Sequence, residues 1–334
     1  WLWLFLLGIV MKIAIYTICK NEEKFIKQWV SSAKEADHVV VTDTGSTDNS
    51  TKLLQDAGVT IYQEKIIPWH FGKARNIALS HVPKDVDCCL SLDMDETLNE
   101  GWRNIIEELW QNGVNLIKPS LYWDKEKTVA AHPARIHARH GFEWQGIVHE
   151  TLRPLVQVKE IVTDKIIIYS SHGEKKSYLP LIQQALKENP NDLSMRVNLA
   201  EELYNLKRYD DAYNEFLKYL QLTELQLVSR ELMEQRAIVC QRLAKLSIDM
   251  ELPAMAIIHW LLRAVAECPT RREAWVYLAE GWMSVGDWAN AYAAANKALS
   301  ITDKSSEFVI EEECWGDYPK YLASEAMKKM FGGR

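Results

Sequence analysis

The sequence predicts an α/β N-terminal domain followed by an all-α domain of helical repeats. Apolar strand-like runs alternate with amphipathic helical patterns as far as residue 174, and from residue 175 the strand signals stop while helical periodicity fills the chain. Fully apolar strands joined by helices are typical of a mostly parallel sheet that is covered on both faces. We therefore assign residues 11–174 to the α/β domain and residues 175–334 to the helical domain.

The composition agrees with two globular domains and excludes several classes of protein. Of the 334 residues, 48% are hydrophobic and 25% are charged, which provides enough apolar material for a folded core. The net charge is −7 and neither half is basic, so general nucleic-acid binding is not expected. The six cysteines lack C-x-x-C spacing, which fits a reduced, cytoplasmic location without zinc or disulfides.

The chain begins with the apolar run WLWLFLLGIV, which lacks a basic flank and a cleavage site. Its ten residues fall short of the roughly 20 that a membrane-spanning helix needs. We therefore expect no membrane span. We interpret residues 1–10 as a non-native extension before Met11, with a membrane-associating stub as the alternative.

The elements of the α/β domain are predicted in order as follows. KIAIYTI forms the first strand, Asn21 caps a helix with acids in its first turn, HVVVTD forms the second strand, and the next helix ends at Gly58. TIYQEKI is the third strand, residues 71–80 form a helix, and CCLSL is the fourth strand. A further helix is predicted over residues 97–111, closed by Gly113.

The helical domain contains an internal repeat. Two segments share one skeleton of small and large apolar residues, and Ala279 in the second follows Ala200 in the first by 79 residues. This skeleton resembles the tetratricopeptide repeat, whose helix pairs interlock through such residues. Because 79 is not a multiple of about 34, the intervening copy at residues 232–269 is predicted to carry a longer turn around Asp249–Pro253.

The sharpest local motif is Asp93-Met94-Asp95-Glu96, directly after an apolar strand. Side chains two positions apart on an extended chain point to the same side, so Asp93 and Asp95 are expected to converge while Met94 turns into the core. Neighbouring carboxylates repel one another unless a cation lies among them, and hard oxygen ligands suit Mg²⁺ or Mn²⁺. The alternative is that these acids only begin the next helix, where the dipole favours them.

Two further motifs carry candidate site residues. Asp43 ends the second strand before a Gly-containing turn, where open sheets bind nucleotides, although a plain strand-to-helix turn explains the glycine equally well. His149 and Glu150 could supply a metal ligand and a proton acceptor, with a structural role as the alternative. The remaining candidates are weaker: we expect solvated imidazoles at His81, His132, His137 and His140.

Several common catalytic motifs are absent from the sequence. It contains no G-x-G-x-x-G dinucleotide loop, no G-x-x-x-x-G-K-[ST] phosphate loop and no G-x-S-x-G nucleophile elbow. Hydride transfer, ATP-driven chemistry and serine hydrolysis are therefore disfavoured.

The motifs CKNEEKFI, VVVTDTGSTDNS, PWHFGKARNIAL, LSLDMDE and WQGIVHETL occur in one order that resembles a family-2 glycosyltransferase of the GT-A fold, whose mostly parallel sheet is Rossmann-like. The appended repeats are similar to the bacterial branch that carries tetratricopeptide-like helices, such as the peptide S-glycosyltransferases. The resemblance covers residues 12–172 with the repeats beyond. Five motifs in one order are far more specific than any one of them.

The resemblance implies a role for each matching residue. Asp95 would be the direct metal ligand, His149 would complete the metal site, and Glu150 is the candidate base. Asp93 would contact ribose or act behind the metal ligands. The remaining residues would bind the donor, with Asp43 on the nucleotide base: Asp43, Thr17, Arg75 and Asn76. Thr44 replaces an acid that is frequent in the family, which makes uracil recognition at that point less secure.

The resulting hypothesis is a metal-dependent, inverting glycosyltransferase that uses a nucleotide-sugar, expected to be a UDP-sugar, with Mn²⁺ or Mg²⁺. The helical repeats would position the acceptor, which could be a peptide, a glycan or another hydroxyl or thiol compound, and could also mediate homo-oligomer formation. Two alternatives stay open: a catalytically inactive repeat scaffold for protein–protein interaction, and a nucleotidyltransferase that shares the sheet and the acid pair.

Overall fold

The structure is a computed structural model, and it describes residues 11–122, 130–171, 177–227, 229–304, 308 and 310–332. Residues 1–10, interpreted above as an extension, lie outside the described residues. The chain divides into two compact units, Trp1–Leu181 and Ile182–Arg334. Within the described ranges, no helix combines the length and the apolar character that crossing a bilayer requires.

The N-terminal unit is built on a nine-stranded sheet with strand order β3-β2-β1-β4-β8-β6-β11-β5, and β7 pairs with β6. Strands β1 to β4 are mutually parallel where they pair, β8 is antiparallel to both neighbours, and β11 is parallel to β6. A separate hairpin joins β9 and β10. The strand bounds are β1 Ile13–Cys19, β2 His38–Asp43, β3 Thr60–Gln63, β4 Cys88–Ser91, β5 Glu96–Leu98, β6 Leu116–Tyr122, β7 Ala130–Ala131, β8 Ile136–Ala138, β9 Phe142–Gln145, β10 Thr151–Pro154 and β11 Glu160–Ser170.

Helices cover both faces of this sheet, as the apolar strands predict. Alternate residues of β1 point to opposite faces, so Ile13 and Ile15 lie in one core cluster while Ala14 and Tyr16 lie in another. The first cluster holds helices α1 (Glu23–Ala33), α2 (Ser50–Asp56) and α4 (Trp102–Leu109), and the second holds α3 (Phe71–His81). The predicted order of an α/β domain followed by an all-α domain is confirmed.

Two local predictions in this unit are wrong. Residues 96–98 form strand β5 on β11, not the start of a helix, because long-range pairing overrides the local acidic signal. Helix α4 begins only after Gly101, whose φ of 77° makes the turn and whose backbone N–H donates to Glu35. Asn21 does not cap α1: its side-chain oxygen instead accepts a hydrogen bond from the backbone N–H of Thr47.

The C-terminal unit is all-helical in its described residues. Helix α5 (Leu179–Glu188) spans the boundary, and the helices that follow are α6 Leu193–Asn205, α7 Tyr209–Thr223, α8 Arg230–Asp249, α9 Ala254–Glu267, α10 Arg272–Ser284, α11 Trp288–Ser300, α12 Glu312–Trp315 and α13 Tyr318–Phe331. Consecutive helices pack as pairs through the interlocking small and large residues of the repeat, such as Ala200, Phe216 and Ala279.

The prediction of a longer turn in the middle copy is wrong. Only four residues, Met250 to Pro253, separate α8 from α9. The extra length lies in helix α8, which has 20 residues where α6 and α10 have 13 each. Helices α6, α8, α9 and α10 contribute to a cavity of about 1050 Å³ within this unit.

Candidate active site

The carboxyl ends of β1, β2 and β4 bring the predicted donor-binding residues to one edge of the sheet. Cys19 at the end of β1 pairs with Asp43 at the end of β2. The Asp43 side chain is buried, and its carboxylate accepts hydrogen bonds of 3.2 Å from the backbone N–H groups of Gly45 and Ser46. Asp43 therefore holds the tight turn at Gly45, whose φ is 105°. Recognition of a nucleotide base by the same side chain stays a prediction.

Thr17 lies inside β1, opposite Val41 of β2, and is almost fully buried. Its hydroxyl donates to the carbonyl of Ile18 at 3.3 Å. The role of Thr17 in donor binding stays a prediction, because nothing in these contacts identifies a ligand.

Asp93 lies in a tight turn after β4 and is held by two arginines. Arg75 of α3 donates Nη1 and Nη2 to the two carboxylate oxygens of Asp93 at 2.7 and 3.1 Å, and Arg135 adds Nη2 at 3.1 Å. Burial would raise the pKa of Asp93, but the two guanidinium groups outweigh it and hold that pKa well below its usual range. Asp93 is thus ionised and committed to arginine.

Glu96 completes the acidic motif on the buried side. Its side chain accepts a hydrogen bond from Arg135 at 3.0 Å and another from the backbone N–H of Asp93 at 2.9 Å. Burial raises the pKa of Glu96 to about 7. The charge of Arg135 lowers this pKa in part, and repulsion from Asp93 raises it further. A carboxyl that titrates near neutrality therefore lies directly behind Asp93.

Arg75 also joins the acidic motif to the His149-Glu150 segment. Its Nε donates to Glu150 Oε1 at 2.5 Å, and its Nη1 contacts Ser91 at 3.2 Å, while the guanidinium lies over the ring of Trp144. Burial would lower the pKa of Arg75, but Asp93 and Glu150 raise it well above its usual value. The charged Arg75 side chain therefore holds the carboxylates of Asp93 and Glu150 in position.

The segment that carries His149 and Glu150 is docked on the N-terminus of α3. The backbone N–H of Phe71 donates to Ile147 at 2.9 Å, and that of Gly72 donates to Gly146 at 3.0 Å. A Cβ at Gly72 would lie 2.8 Å from the Gly146 carbonyl oxygen, so only glycine allows this approach. Asn76 exchanges two hydrogen bonds of 2.8 Å with the backbone of Trp144.

These contacts explain why the two motifs occur together. Both ends of the Asn76 amide are engaged by the Trp144 backbone, so the observed role of Asn76 is to clamp β9 onto α3. Its predicted contact with a donor is untested by this geometry. The PWHFGKARN and WQGIVHE segments are two halves of one rigid support for Arg75 and Glu150.

Tyr178 packs beside His149, one of the predicted site residues. Its ring centroid lies 6.0 Å from that of His149, which has a φ of 51°. Burial raises the pKa of Tyr178, and the charges of Glu150, Asp93 and Asp95 raise it further. Asp95 is half-buried, and its carbonyl accepts a hydrogen bond from the Ser171 N–H at 2.7 Å. Tyr178 thus contacts the His149 ring and lies within electrostatic range of Glu150, Asp93 and Asp95.

The donor set suits a divalent cation only in part. Among the residues that the structure describes, no group of three His, Cys, Asp or Glu side chains is placed to hold a metal ion. The carboxylate of Asp95 is a hard donor that suits Mg²⁺ or Mn²⁺, and such ions complete their shell with water and substrate phosphates. The imidazole of His149 is a borderline donor, which fits Mn²⁺ better than Mg²⁺.

Sequence reasoning missed Arg135 and Tyr178 as members of the site, and it included Glu96 in the acidic motif without giving it a role. Arg135 lies in an irregular segment directly before β8, so no local pattern distinguishes it from a surface arginine. Tyr178 lies beyond the last motif, and only the fold returns it to the acids. A charge-balance argument could have found Arg135, because a buried trio of acids requires more than one cation.

The expectation of a solvated His137 is wrong. This imidazole is fully buried, with its Nε2 at 2.9 Å from the hydroxyl of Tyr16, which in turn accepts a hydrogen bond from Trp144 at 2.7 Å. Burial lowers the pKa of His137 to about 4. His137 is therefore a neutral core residue, linked to Trp144 through the hydroxyl of Tyr16.

The chain is similar in sequence to known glycosyltransferases. Residues 14–170 match the family model described as "Glycosyl transferase family 2". A curated relative is the lipopolysaccharide core biosynthesis glycosyltransferase LpsC of Rhizobium meliloti (strain 1021), which is 29% identical over 103 residues. That alignment covers 30% of this chain, and the chain spans only 37% of the relative's length. Residues 14–170 of the N-terminal unit are therefore similar to glycosyl transferase family 2 domains.

Two solved structures are similar to part of this chain. Glucosyl-3-phosphoglycerate synthase from Mycobacterium tuberculosis, in complex with Mn²⁺, UDP and glucosyl-3-phosphoglycerate, is 20% identical with a TM-score of 0.29, covering 33% of this chain and 44% of that one. MamA from Desulfovibrio magneticus RS-1 is 16% identical with a TM-score of 0.31, covering 46% of this chain and 80% of that one.

Proposed function

We propose that this protein is a divalent-metal-dependent glycosyltransferase that moves a sugar from a UDP-sugar to an acceptor hydroxyl or thiol with inversion. The observation that carries the proposal is the strand-end cluster in which Arg75 binds both Asp93 and Glu150, whose neighbours in the sequence are Asp95 and His149. Nucleotide-sugar transfer requires such a set, because it must bind a diphosphate, hold a cation and deprotonate an acceptor.

The donor would lie along the carboxyl ends of β1, β2 and β4. Asp43 and Thr17 lie at or near the ends of adjacent strands, where open sheets bind nucleotides. Asp93 keeps lone pairs for a ribose hydroxyl although its oxygens already accept from two arginines. Arg75 would act mainly through Asp93 and Glu150, since it makes four hydrogen bonds to Glu150, Ser91 and Asp93.

Asp95 and His149 would hold the metal ion, Mn²⁺ or Mg²⁺. Asp93 is excluded from this role by its commitment to Arg75 and Arg135. When bound, a divalent cation neutralises charge that develops on a departing diphosphate. In the protein itself, the fixed arginine–carboxylate network keeps the site preorganised, so that little reorganisation accompanies the reaction.

Glu150 is the proposed proton acceptor for the incoming nucleophile. Arg75 binds its Oε1, which fixes the orientation of the carboxylate. The proton would pass from the acceptor hydroxyl or thiol to the carboxylate as the new bond to the anomeric carbon forms. Attack from the side opposite the nucleotide gives inversion.

The helical unit would help to position the acceptor. Its cavity of about 1050 Å³ reaches the size of typical ligand sites, and basic and acidic side chains both line it, among them Arg242, Lys245, Glu280 and Glu311. The relative named LpsC is described as acting in lipopolysaccharide core biosynthesis, which favours a saccharide over a peptide as the acceptor of this protein.

The test is product analysis with a panel of UDP- and GDP-sugars, with Mn²⁺ or with EDTA. We expect release of UDP that EDTA abolishes, and loss of that release in Asp95→Asn. The matched control is Asp56→Asn, an exposed aspartate on α2, which should release UDP at the wild-type rate. Release of pyrophosphate in a separate arm with UTP and a sugar 1-phosphate would instead support a nucleotidyltransferase. Absence of any product, with no rise in melting temperature on adding nucleotide-sugars, would support a non-catalytic scaffold.

A further inference from the structure

Four rings form a continuous row at the edge of the carboxylate cluster, and we call it the aromatic row: Trp69, Phe71, Tyr178 and His149. Successive ring centroids lie 5.1 Å apart for Trp69 and Phe71, 5.7 Å for Phe71 and Tyr178, and 6.0 Å for Tyr178 and His149. Each pair meets edge to face. The row lies entirely within the N-terminal unit.

The rings of the row stay partly accessible. Trp69, Phe71 and Tyr178 are half-buried and His149 is exposed, whereas the large rings of the core, Trp29 and Trp102, are completely buried. Partly exposed apolar surface at a concentrated polar site marks a place for a ligand more often than a stability device. The row therefore offers apolar surface that the folded core does not use.

The position of the row is rigid at its centre. Phe71 begins α3, and its backbone N–H is bonded to Ile147, next to the segment that carries His149 and Glu150. Gly72 packs so closely on Gly146 that the two segments cannot slide. A ligand bound on Phe71 and Tyr178 would thus have a fixed relation to Glu150.

The chemistry beside the row selects the ligand. Tyr178 contacts the ring of His149, whose neighbour in the sequence is Glu150, so apolar ring surface lies close to a hydroxyl-accepting carboxylate. The charges of Glu150, Asp93 and Asp95 also act on Tyr178. A pyranose ring has the complementary surfaces, since its C–H face packs on aromatic rings and its hydroxyl groups donate hydrogen bonds to carboxylates. An acidic peptide would be repelled by the same carboxylates.

We propose that the aromatic row is the binding subsite for a pyranose ring of the acceptor, so that the acceptor is a carbohydrate. This inference rests on the proposed function and names its acceptor class. The row includes His149, which precedes the proposed base Glu150 in the chain, whereas Asp43 and Thr17, proposed to bind the donor, lie at or near the ends of β2 and β1. Trp69 and Phe71 extend the subsite away from the carboxylates.

Saturation-transfer NMR on the full chain tests this subsite without requiring turnover. The probes are methyl β-D-glucopyranoside, methyl β-D-galactopyranoside and methyl α-D-mannopyranoside, with UDP alone as a separate arm. Saturating aromatic protons should label the C–H face of at least one glycoside in the wild type. Trp69→Leu and Tyr178→Leu should each weaken glycoside binding by about tenfold. The matched control, Tyr321→Leu, changes an exposed ring of the C-terminal unit and should leave binding unchanged.

The outcomes separate acceptor from donor and this inference from the proposed function. Loss of glycoside binding with unchanged UDP binding supports an acceptor subsite. Equal loss of UDP binding would show that the row serves the donor, and undiminished glycoside binding in both variants would overturn the subsite. Because these readouts are independent of product release, glycoside binding can succeed while UDP release fails, and the reverse. Tyr178→Phe keeps the ring and should retain binding, which distinguishes lost stacking from misfolding.

Discussion

Replacing Arg75 with methionine is the most informative perturbation of the N-terminal unit. Met has a similar reach but no charge, so Glu150 and Asp93 lose three hydrogen bonds from the guanidinium. The Glu150 side chain is 10% exposed and that of Asp93 is 27% exposed, and only Asp93 keeps a second arginine, Arg135. An unpaired buried charge is strongly destabilising.

Removing one partner of a buried ion pair costs about 3–5 kcal/mol. Because Asp93 retains Arg135, we expect a loss at the lower end, about 3 kcal/mol, in the free energy of unfolding of Arg75→Met. Urea unfolding followed by tryptophan fluorescence measures it, provided that the slope with denaturant is unchanged. The matched control is Arg208→Met, which breaks an exposed pair with Asp211 and should cost less than about 1 kcal/mol.

A double-mutant cycle identifies the cause of the loss. Adding Glu150→Gln to Arg75→Met removes the unpaired charge, so the second substitution should cost less in that background than in the wild type, by about 0.5–3 kcal/mol. Additive costs, or a loss for Arg75→Met no larger than that of Arg208→Met, would refute the view that Arg75 compensates the buried acids.

Three further predictions concern the surroundings of the site. Gly72→Ala should destabilise the protein by about 1–3 kcal/mol in urea unfolding, because its Cβ would collide with the Gly146 carbonyl; a neutral effect would contradict the close docking. The pKa of Glu96 is raised from 4.5 to about 7, so the folded state retains a proton that the unfolded state loses, and this contribution to stability falls as pH rises from about 4.5 through 7. Glu96→Gln should remove that slope, and an identical pH profile in the variant would exclude it. The pKa of His137 is lowered from 6.5 to about 4, so its contribution has the opposite sign: stability falls as pH decreases from about 6.5 to 4. NMR titration of the His137 imidazole should show it neutral at pH 6, and a protonated ring there would contradict its burial.

Much of the fold follows from local patterns because burial leaves a periodic trace. The apolar runs of β1, β2 and β4 and the spacing within α1 and α3 identify a covered parallel sheet directly. Strand β5 could not be found in this way. Its three residues follow an acidic run that favours a helix start, and only pairing with β11, about 70 residues later in the chain, makes them a strand.

The candidate site divides in the same way. Asp43, Asp93 and Asp95 are recognisable because acids at the ends of buried strands need a reason to be there, and Met94 is buried between its acidic neighbours as predicted. The sequence did not reveal that Asp93 pairs with both Arg75 and Arg135. It also did not reveal that Asn76 clamps the backbone of Trp144. A short motif shows which groups are present and does not show which of them neutralise each other.

The order of residues along this chain was sufficient to establish an α/β unit ahead of a helical unit and to mark the edge of the sheet where acids collect. Periodicity and strand ends are local properties, and they survive without three-dimensional information. The tertiary structure alone decided that Arg75 joins Asp93 to Glu150, that Arg135 and Glu96 stand behind them, and that Tyr178 returns to the cluster. Charge compensation and ring packing depend on distances between residues far apart in sequence, and such distances exist only once the chain has folded.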